Sequence, residues 1–150
     1  MERFPEIVER EIREGHEVAN HTYSHKNISN LNNADIAAEI ERCEEILLSE
    51  NEYMPKLFRP VEGYASRENC EFIESLGYDV ILWSVDTRDW AHSPVDNIVN
   101  NVVNNSADGS IVLFHDFVSG ESPTPAALRL LIPRLKELGY SFVTVSELLG

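Results

Sequence analysis

The sequence has 150 residues, a length typical of one domain with its own hydrophobic core. Hydrophobic residues make up 43% and charged residues 25%, and no apolar run approaches the roughly 20 residues that a membrane-spanning helix requires. The formal net charge of −14 disfavours nucleic acid and anionic lipid as partners, because like charges repel. Uncharged or cationic ligands fit better, although an acidic surface also simply keeps a protein in solution.

Apolar residues at helical spacing, bounded by capping and turn residues, predict a series of helices along the chain. The helices are predicted at residues 5–14, 34–49 and 66–76, from Ser93-Pro94, from Thr124-Pro125, and as a short turn from Ser146. Pro133 lies inside the helix that starts at Thr124. Proline lacks an N–H and its ring clashes with the preceding turn, so we expect Pro133 to kink or divide that helix.

Short apolar segments between these helices predict strands at 18–20, 56–59, 78–85, 110–116 and 140–145. The nearly continuous apolar runs are typical of strands buried on both faces of a parallel sheet. The alternation therefore predicts an α/β fold in which helices cover a parallel sheet. Because the chain begins with a helix, the first strand–helix units of this alternation look absent. The sheet would then have an open edge beside the strand before His21, where a second copy of the chain could pair.

Polar residues follow four of the predicted strands, at the edge where parallel α/β proteins place functional groups. The clusters are His21 with His25, Arg59, Asp86 with Asp89 and Trp90, and His115 with Asp116. Two histidines four residues apart can bind one metal ion, but they can equally be surface loop residues. The other clusters could be helix caps, a surface ion pair or a hydrogen-bonded histidine. Their convergence at one edge favours a functional site.

The motifs GHEVANHTYSH, FRP, WSVDTRDW and IVLFHD occur in this order with the spacing of strand–helix units. The set resembles the polysaccharide deacetylase family, carbohydrate esterase family four with its NodB-like homology domain, from Phe4 to Leu149. The resemblance implies an incomplete, irregular (β/α) barrel that lacks its first strands. It implies a single, N-terminally truncated catalytic domain over residues 1–150, and a hydrolase of carbon–nitrogen bonds other than peptide bonds.

The resemblance also implies roles for the residues that match the family's motifs. His21 and His25 match two ligands of a divalent metal, often zinc. Arg59 matches the arginine that pairs with the catalytic aspartate. His115 matches the general acid, and Asp89 matches the aspartate that orients and tunes it.

The resemblance assigns a further group of residues to substrate binding. Trp90 matches the tryptophan that walls the acetyl pocket, and Leu113 belongs to the motif that carries the acidic histidine. Glu62 stands where the family usually has tyrosine, and its backbone N–H could still face the oxyanion of the reaction. We expect Glu62 either to be a solvated loop residue, or to pair with Arg59 or partly replace the absent aspartate.

The family's Thr-Phe-Asp-Asp-Gly run, which supplies the catalytic base and a third metal ligand, is absent from these 150 residues. Two histidines alone hold zinc weakly, so metal occupancy is doubtful. We therefore expect the parent activity to be metal-dependent removal of N-acetyl or O-acetyl groups from a carbohydrate polymer such as peptidoglycan or chitin. For this chain alone, we expect no acetate release above a His115→Ala control.

Three other interpretations remain open. The chain could be a non-catalytic carbohydrate-binding relative, a deacetylase-fold amidohydrolase acting on a small amide, or a structural fragment that pairs with a second copy. The family is often secreted or attached to the cell envelope. The segment from Met1 to Pro5 leads into a charged amphipathic helix, so no signal peptide is expected here and the chain as it stands would be cytoplasmic.

Overall fold

The computed structural model describes residues 4–150, which fall into two compact units divided between Leu82 and Trp83. The first unit contains α1 (Pro5–Arg13), α2 (Asn33–Asn51), β1 (Leu57–Phe58), α3 (Arg67–Ser75) and β2 (Asp79–Val80). Strands β1 and β2 pair in parallel, and Asn20 adds one parallel bridge to Phe58. The strand predicted at 18–20 is therefore reduced to this single bridge.

Capping side chains set the helix boundaries of the first unit. The Asn32 side chain accepts a hydrogen bond from the backbone N–H of Asp35 at the start of α2. Ser66 and Asn69 form a reciprocal capping box at the start of α3, as the sequence predicts for Ser66. These helices pack on the sheet around one main apolar cluster, formed by Ile28, Ile36, Ile40, Phe58, Ile73 and Tyr78.

The second unit contains β3 (Val85–Asp86), α4 (Val95–Asn105), β4 (Val112–Leu113), α5 (Thr124–Glu137) and α6 (Val145–Leu149). Strands β3 and β4 pair in parallel, with Asp86 opposite Leu113. Helices α4 and α5 pack against each other. The main apolar cluster of this unit contains the buried residues Val85, Val102, Leu131 and Leu135. Parallel pairing in both units confirms the α/β class, whereas the barrel and the single domain stay predictions.

The strand predicted at 78–85 is wrong as one element, because the chain changes pairing partner along it. The backbone N–H of Ile81 donates to Phe58 of the first unit, while that of Ser84 donates to Ile111 of the second. The residues between these two positions belong to neither strand. A continuous apolar run therefore covers two short strands, β2 and β3.

Two further predictions differ from the structure. Helix α5 runs unbroken through Pro133. Pro133 is exposed, and the buried side chains of Leu131 and Leu135 hold the helix on either side of it. The segment 140–145 is not a strand among the described residues, because Thr144 and Glu147 instead form a capping box that starts α6. None of the helices within residues 4–150 is long and apolar enough to cross a membrane.

Candidate active site

Asn20 fixes the start of the histidine loop, defined here as residues 21–25. Its buried side chain donates to the backbone oxygen of Ile40 at 3.0 Å and accepts from the backbone N–H of Thr22 at 3.1 Å. Its backbone N–H donates to Leu57, and its carbonyl accepts from Arg59 at 2.9 Å. The residue before His21 is thus held by both its backbone and its side chain.

The two histidines of the loop lie side by side. The ring centroids of His21 and His25 are 5.2 Å apart, in an edge-to-face arrangement. Nδ1 of His21 faces the carbonyl oxygen of Arg59, which can only accept a hydrogen bond. His21 therefore carries its proton on Nδ1, and the lone pair lies on Nε2, the arrangement found for metal-binding histidines.

His21 fits a divalent ion such as zinc, because the hydrogen bond of its Nδ1 to a backbone carbonyl fixes the tautomer that coordinates metal, and the ring of His25 lies beside it. The two histidines make only part of a ligand set. Among residues 4–150, no group of three or more His, Cys, Asp or Glu side chains is arranged to hold a metal ion. Metal binding and the identity of the ion therefore stay predictions.

Several residues in and near the histidine loop adopt left-handed backbone conformations that non-glycine residues rarely use. Thr22 has φ 65°, His25 has φ 56°, and Glu62 has φ 59°. The buried Oγ1 of Thr22 also has no hydrogen-bond partner within the described part of the chain. Each such backbone conformation costs about 1–3 kcal/mol and tends to occur at functional sites. The loop therefore has the backbone strain typical of such sites.

Glu39 of α2 holds the histidine loop through contacts with Ser24 and Lys26. Its carboxylate accepts from the backbone N–H of Ser24 at 2.8 Å and from Oγ of Ser24 at 2.7 Å, and it lies 2.9 Å from Nζ of Lys26. Burial raises the pKa of Glu39, but the hydrogen bonds from Lys26 and Ser24 outweigh it and lower the pKa to about 2. Sequence reasoning missed Glu39 because, in α2, it looks like part of a solvated helix face.

Arg59 and Glu62 lie on the segment that follows β1. The Arg59 side chain is half-buried, and its backbone carbonyl contacts His21. Glu62 is exposed and accepts a hydrogen bond from the side chain of Asn27 at 2.8 Å. That contact links Glu62 to the chain just after the histidine loop. The expected pairing of Arg59 with Glu62 stays a prediction.

Asp89 and His115, here called the acid pair, contact each other directly in the second unit. Oδ1 of Asp89 lies 2.7 Å from Nδ1 of His115, and Oδ2 accepts from the His115 backbone N–H at 2.8 Å. Oδ1 also accepts from the Trp90 backbone N–H at 2.9 Å, and Oδ2 accepts from Oγ1 of Thr124 at 2.6 Å. Each carboxylate oxygen thus accepts two hydrogen bonds.

This network determines the protonation of both partners. Asp89 is fully buried, and burial raises its pKa, but the hydrogen bonds from Thr124 and His115 outweigh burial and lower the pKa. Because an ionised carboxylate only accepts hydrogen bonds, Nδ1 of His115 carries a proton. The side chain of His115 is 32% exposed, so its ring is accessible at the surface of the unit. This geometry suits an imidazole that exchanges protons through Nε2.

The chain around Asp89 is held in a tight turn. Arg88 and His92, on either side of the turn, both have left-handed backbones, with φ 56° and 55°. The buried hydroxyl of Thr87 donates to the carbonyl of Leu113 at 2.7 Å, which ties the turn to β4. His115 follows β4 by two residues and is therefore held against Asp89.

The predicted substrate-binding residues of this unit differ in exposure. Trp90 is 50% exposed and can contact a ligand directly, with the Arg88 guanidinium 5.8 Å from its ring centroid. Leu113 is only 5% exposed and mainly supports β4. Sequence reasoning missed Thr87 and Thr124. Thr124 looks only like a helix start, because Pro125 follows it, and nothing local links it to Asp89.

Two parts of the predicted site are therefore described, each within its own unit. In the first unit, His21 contacts His25 and the backbone carbonyl of Arg59. In the second unit, Asp89 contacts His115 and the backbone N–H of Trp90. The convergence of all four clusters, and the role assigned to each residue, stay predictions. The fold and these groups define an α/β protein in which one unit carries a histidine loop and the other an Asp–His pair with a buried carboxylate, groups suited to acid–base chemistry.

Comparison with known proteins identifies the family. The family model described as polysaccharide deacetylase matches residues 1–81. A peptidoglycan-N-acetylglucosamine deacetylase of Bacillus cereus is 41% identical over 99% of this chain, and the match covers 70% of that relative. The chain belongs to the polysaccharide deacetylase family, a family of hydrolases, as its motifs indicate.

Solved structures agree with this assignment. The structure of the Bc1960 peptidoglycan N-acetylglucosamine deacetylase has a TM-score of 0.92 and 38% identity, covering 98% of this chain and 69% of that one. A pseudoenzyme of carbohydrate esterase family four from Bacillus anthracis has a TM-score of 0.89 and 27% identity, covering 99% of this chain and 52% of that one. The same fold thus occurs in a deacetylase and in a pseudoenzyme.

Proposed function

We propose that this chain acts on N-acetylglucosamine polymers such as peptidoglycan or chitin, by metal-dependent hydrolysis of N-acetyl groups. The observation that carries the proposal is the acid pair, a buried and ionised Asp89 bonded to Nδ1 of a surface-accessible His115. The 41% identity to a peptidoglycan-N-acetylglucosamine deacetylase supports the substrate class. An uncharged acetamide is also compatible with a chain whose net charge is −14.

In the proposed reaction, water adds to the acetyl carbon, the carbon–nitrogen bond breaks, and acetate leaves while the sugar nitrogen takes a proton. His115 takes up a proton at Nε2 and gives it to that nitrogen, while Asp89 holds the ring by accepting from the proton that stays on Nδ1. The exposed face of Trp90 contacts the acetyl group. His21 and His25 would hold a divalent ion, which when bound acidifies water and polarises the carbonyl.

We also propose that this chain turns over slowly. Its 150 residues contain no adjacent pair of aspartates, so the carboxylate base of the family's motif is absent from it. Without a base, water must lose its proton unaided, and general base catalysis typically contributes about 10²–10⁴-fold. Glu62 is the nearest carboxylate in sequence to Arg59 and could replace the base only in part.

A second function is a carbohydrate-binding protein that has lost the reaction. The observation that favours it is the pseudoenzyme relative, which has this fold and covers 99% of the chain. Such a protein would keep the exposed Trp90 as a sugar-binding surface and would not need metal to bind a sugar oligomer. The two functions therefore differ in whether zinc affects binding.

Calorimetric titration with a chitin tetramer, with and without zinc, tests both functions. Cellotetraose, which lacks acetamide groups, is the control ligand, and Trp90→Ala is the test variant. We expect zinc to tighten chitin binding, and Trp90→Ala to weaken it by about tenfold, or 1.4 kcal/mol. Equal binding with and without zinc would favour the second function, and no binding of the tetramer under either condition would contradict both.

Acetate release from the same tetramer tests the rate. We expect release in the presence of zinc to be so slow that it is not resolved from a His115→Ala control. Release well above that control would support the deacetylase function and would contradict only the proposed slow turnover.

A further inference from the structure

We propose that Thr124 is a positioning residue for the acid pair, holding the Asp89 carboxylate in the orientation that keeps the His115 proton on Nδ1. This inference rests on the proposed function for its catalytic meaning, but the contact itself does not. Thr124 begins α5, lies 35 residues after Asp89 and is only 7% exposed. No motif of the sequence assigned it a role.

The Thr124 bond differs in origin from the other three that Asp89 accepts. Two of those come from His115, the residue being positioned, and one comes from the adjacent residue Trp90. The bond from Oγ1 of Thr124 to Oδ2, at 2.6 Å, is the contact that reaches the carboxylate from α5. It therefore ties the rotation of the carboxylate to a packed helix and not to the acid pair alone.

The donor in this bond is not ambiguous. An ionised carboxylate only accepts, so the Thr124 hydroxyl must donate its proton to Oδ2. The hydrogen bond is charge-assisted, which makes it shorter and stronger than a bond between neutral groups. Helix α5 in turn is anchored by the buried side chains of Ala127, Leu131 and Leu135. The hydroxyl is consequently presented from a fixed element.

Loss of the Thr124 hydroxyl would affect the chemistry through the tautomer of the His115 imidazole. Without the Thr124 hydroxyl, Oδ2 would keep only the His115 backbone N–H, and the carboxylate could rotate away from Nδ1. Loss of that bond allows the neutral ring to carry its proton on Nε2 instead. In that tautomer Nε2 already carries the single ring proton and has no lone pair, so the ring cannot take up at Nε2 the proton that it gives to the sugar nitrogen.

The experiment uses the full chain with ¹⁵N-labelled histidine, in the absence of metal and sugar. The ring nitrogen shifts of His115 report its tautomer, and exchange with water reports the protection of the Nδ1 proton. We expect Thr124→Val, which has the same shape without the hydroxyl, to raise the Nε2–H fraction and speed Nδ1 proton exchange by about tenfold. Thr124→Ser, which keeps the hydroxyl, should retain the wild-type spectrum.

The matched control is Thr144→Val, since the Thr144 hydroxyl bonds Glu147 at the start of α6 and not Asp89. It removes a capping hydroxyl from the same unit and should leave the His115 tautomer unchanged. If Thr124→Val fails to fold, Thr124→Ala is measured in its place. An unchanged His115 tautomer and exchange rate in the Val or Ala variant would overturn the proposal.

Neither measurement requires turnover, so failure of the proposed deacetylase function would leave this test intact. Conversely, zinc-dependent chitin binding by a Thr124→Val chain with a wild-type His115 spectrum would support the function and overturn the role of Thr124.

Discussion

Glu39 shows how a single buried carboxylate can hold a functional loop. Both of its oxygens bond Ser24, between the two histidines, and Lys26 lies directly after them. Its pKa of about 2 means that these contacts favour the ionised form over the protonated one. The loop conformation, including the left-handed His25, is therefore linked to the charge on a residue of α2.

We predict that Glu39→Gln lowers the free energy of unfolding by about 2 kcal/mol at pH 7. The pKa of Glu39 is about 2 in the folded chain, against about 4.3 in an unfolded one, which corresponds to about 3 kcal/mol before allowing for the exposed Lys26. Because the pKa of Glu39 is lower in the folded chain than in the unfolded one, its ionisation stabilises the folded state at pH values above the unfolded pKa. That stabilisation is lost as the pH falls from about 5 towards 2.

Urea unfolding of wild type and variant at a series of pH values between 7 and 2 measures this difference. Glu41→Gln, on the exposed face of the same helix, is the control and should change little at any pH. The explanation fails if the Glu39→Gln difference at pH 7 is no larger than that of the control, or if it stays constant down to pH 2.

At the scale of elements, α5 carries a proline where helices usually exclude one. Pro133 leaves the carbonyl four residues earlier without its usual N–H partner, yet the helix continues to Glu137. Pro125 is also in α5, but in its first turn, where the N–H would have no partner in the helix anyway. The two prolines therefore differ in their effect on stability although both are exposed residues of one helix.

We predict that Pro133→Ala raises the free energy of unfolding by about 1–2 kcal/mol, because it restores a backbone hydrogen bond and removes the ring clash. Pro125→Ala should instead lower the free energy of unfolding by about 0.5 kcal/mol, because it restores no helical hydrogen bond and raises the conformational entropy of the unfolded chain. Urea midpoints of the two variants and wild type measure both effects. Equal shifts in the same direction would contradict this account of α5.

The elements show where sequence reasoning succeeds and where it fails. Helix α3 was predicted with its cap at Ser66, because capping and apolar spacing are local signals. The division of 78–85 into two strands was missed, because an apolar run does not indicate which partner each residue pairs with. The same limit explains 140–145, where β propensity lost to the capping box of Thr144 and Glu147.

The residues of the candidate site also fall into those that the sequence points to and those that only the structure shows. The sequence points to His21, His25, Asp89 and His115 because they follow strands and match an ordered set of motifs, and their roles stay predictions. It does not point to Thr124 or Glu39, because each acts on a residue far away in sequence through one hydrogen-bonded contact. Such supporting contacts depend on tertiary packing and leave no local pattern.

At the scale of the whole molecule, the sequence gives the chain a large negative net charge, which affects its stability. The 26 acidic residues exceed the 12 basic ones, and the mutual repulsion of the excess opposes compaction. Helix α2 illustrates the imbalance, because Glu45 and Glu50 lie exposed towards its C-terminus, where the helix dipole disfavours negative charge, and its last turn has no basic residue. Salt should therefore stabilise this chain.

We predict that raising NaCl from about 0.01 M to about 0.15 M increases the urea midpoint at pH 7, because the Debye length falls from about 30 Å to about 8 Å and screens the repulsion. The double variant Glu45→Gln/Glu50→Gln removes two of the excess charges and should be more stable than wild type at low salt, with a smaller response to salt. Replacing NaCl by sucrose at matched osmolarity controls for solvent effects other than screening. A midpoint that falls with salt, or a double variant with a larger salt response, would show that ion pairs such as Lys26–Glu39 outweigh the repulsion.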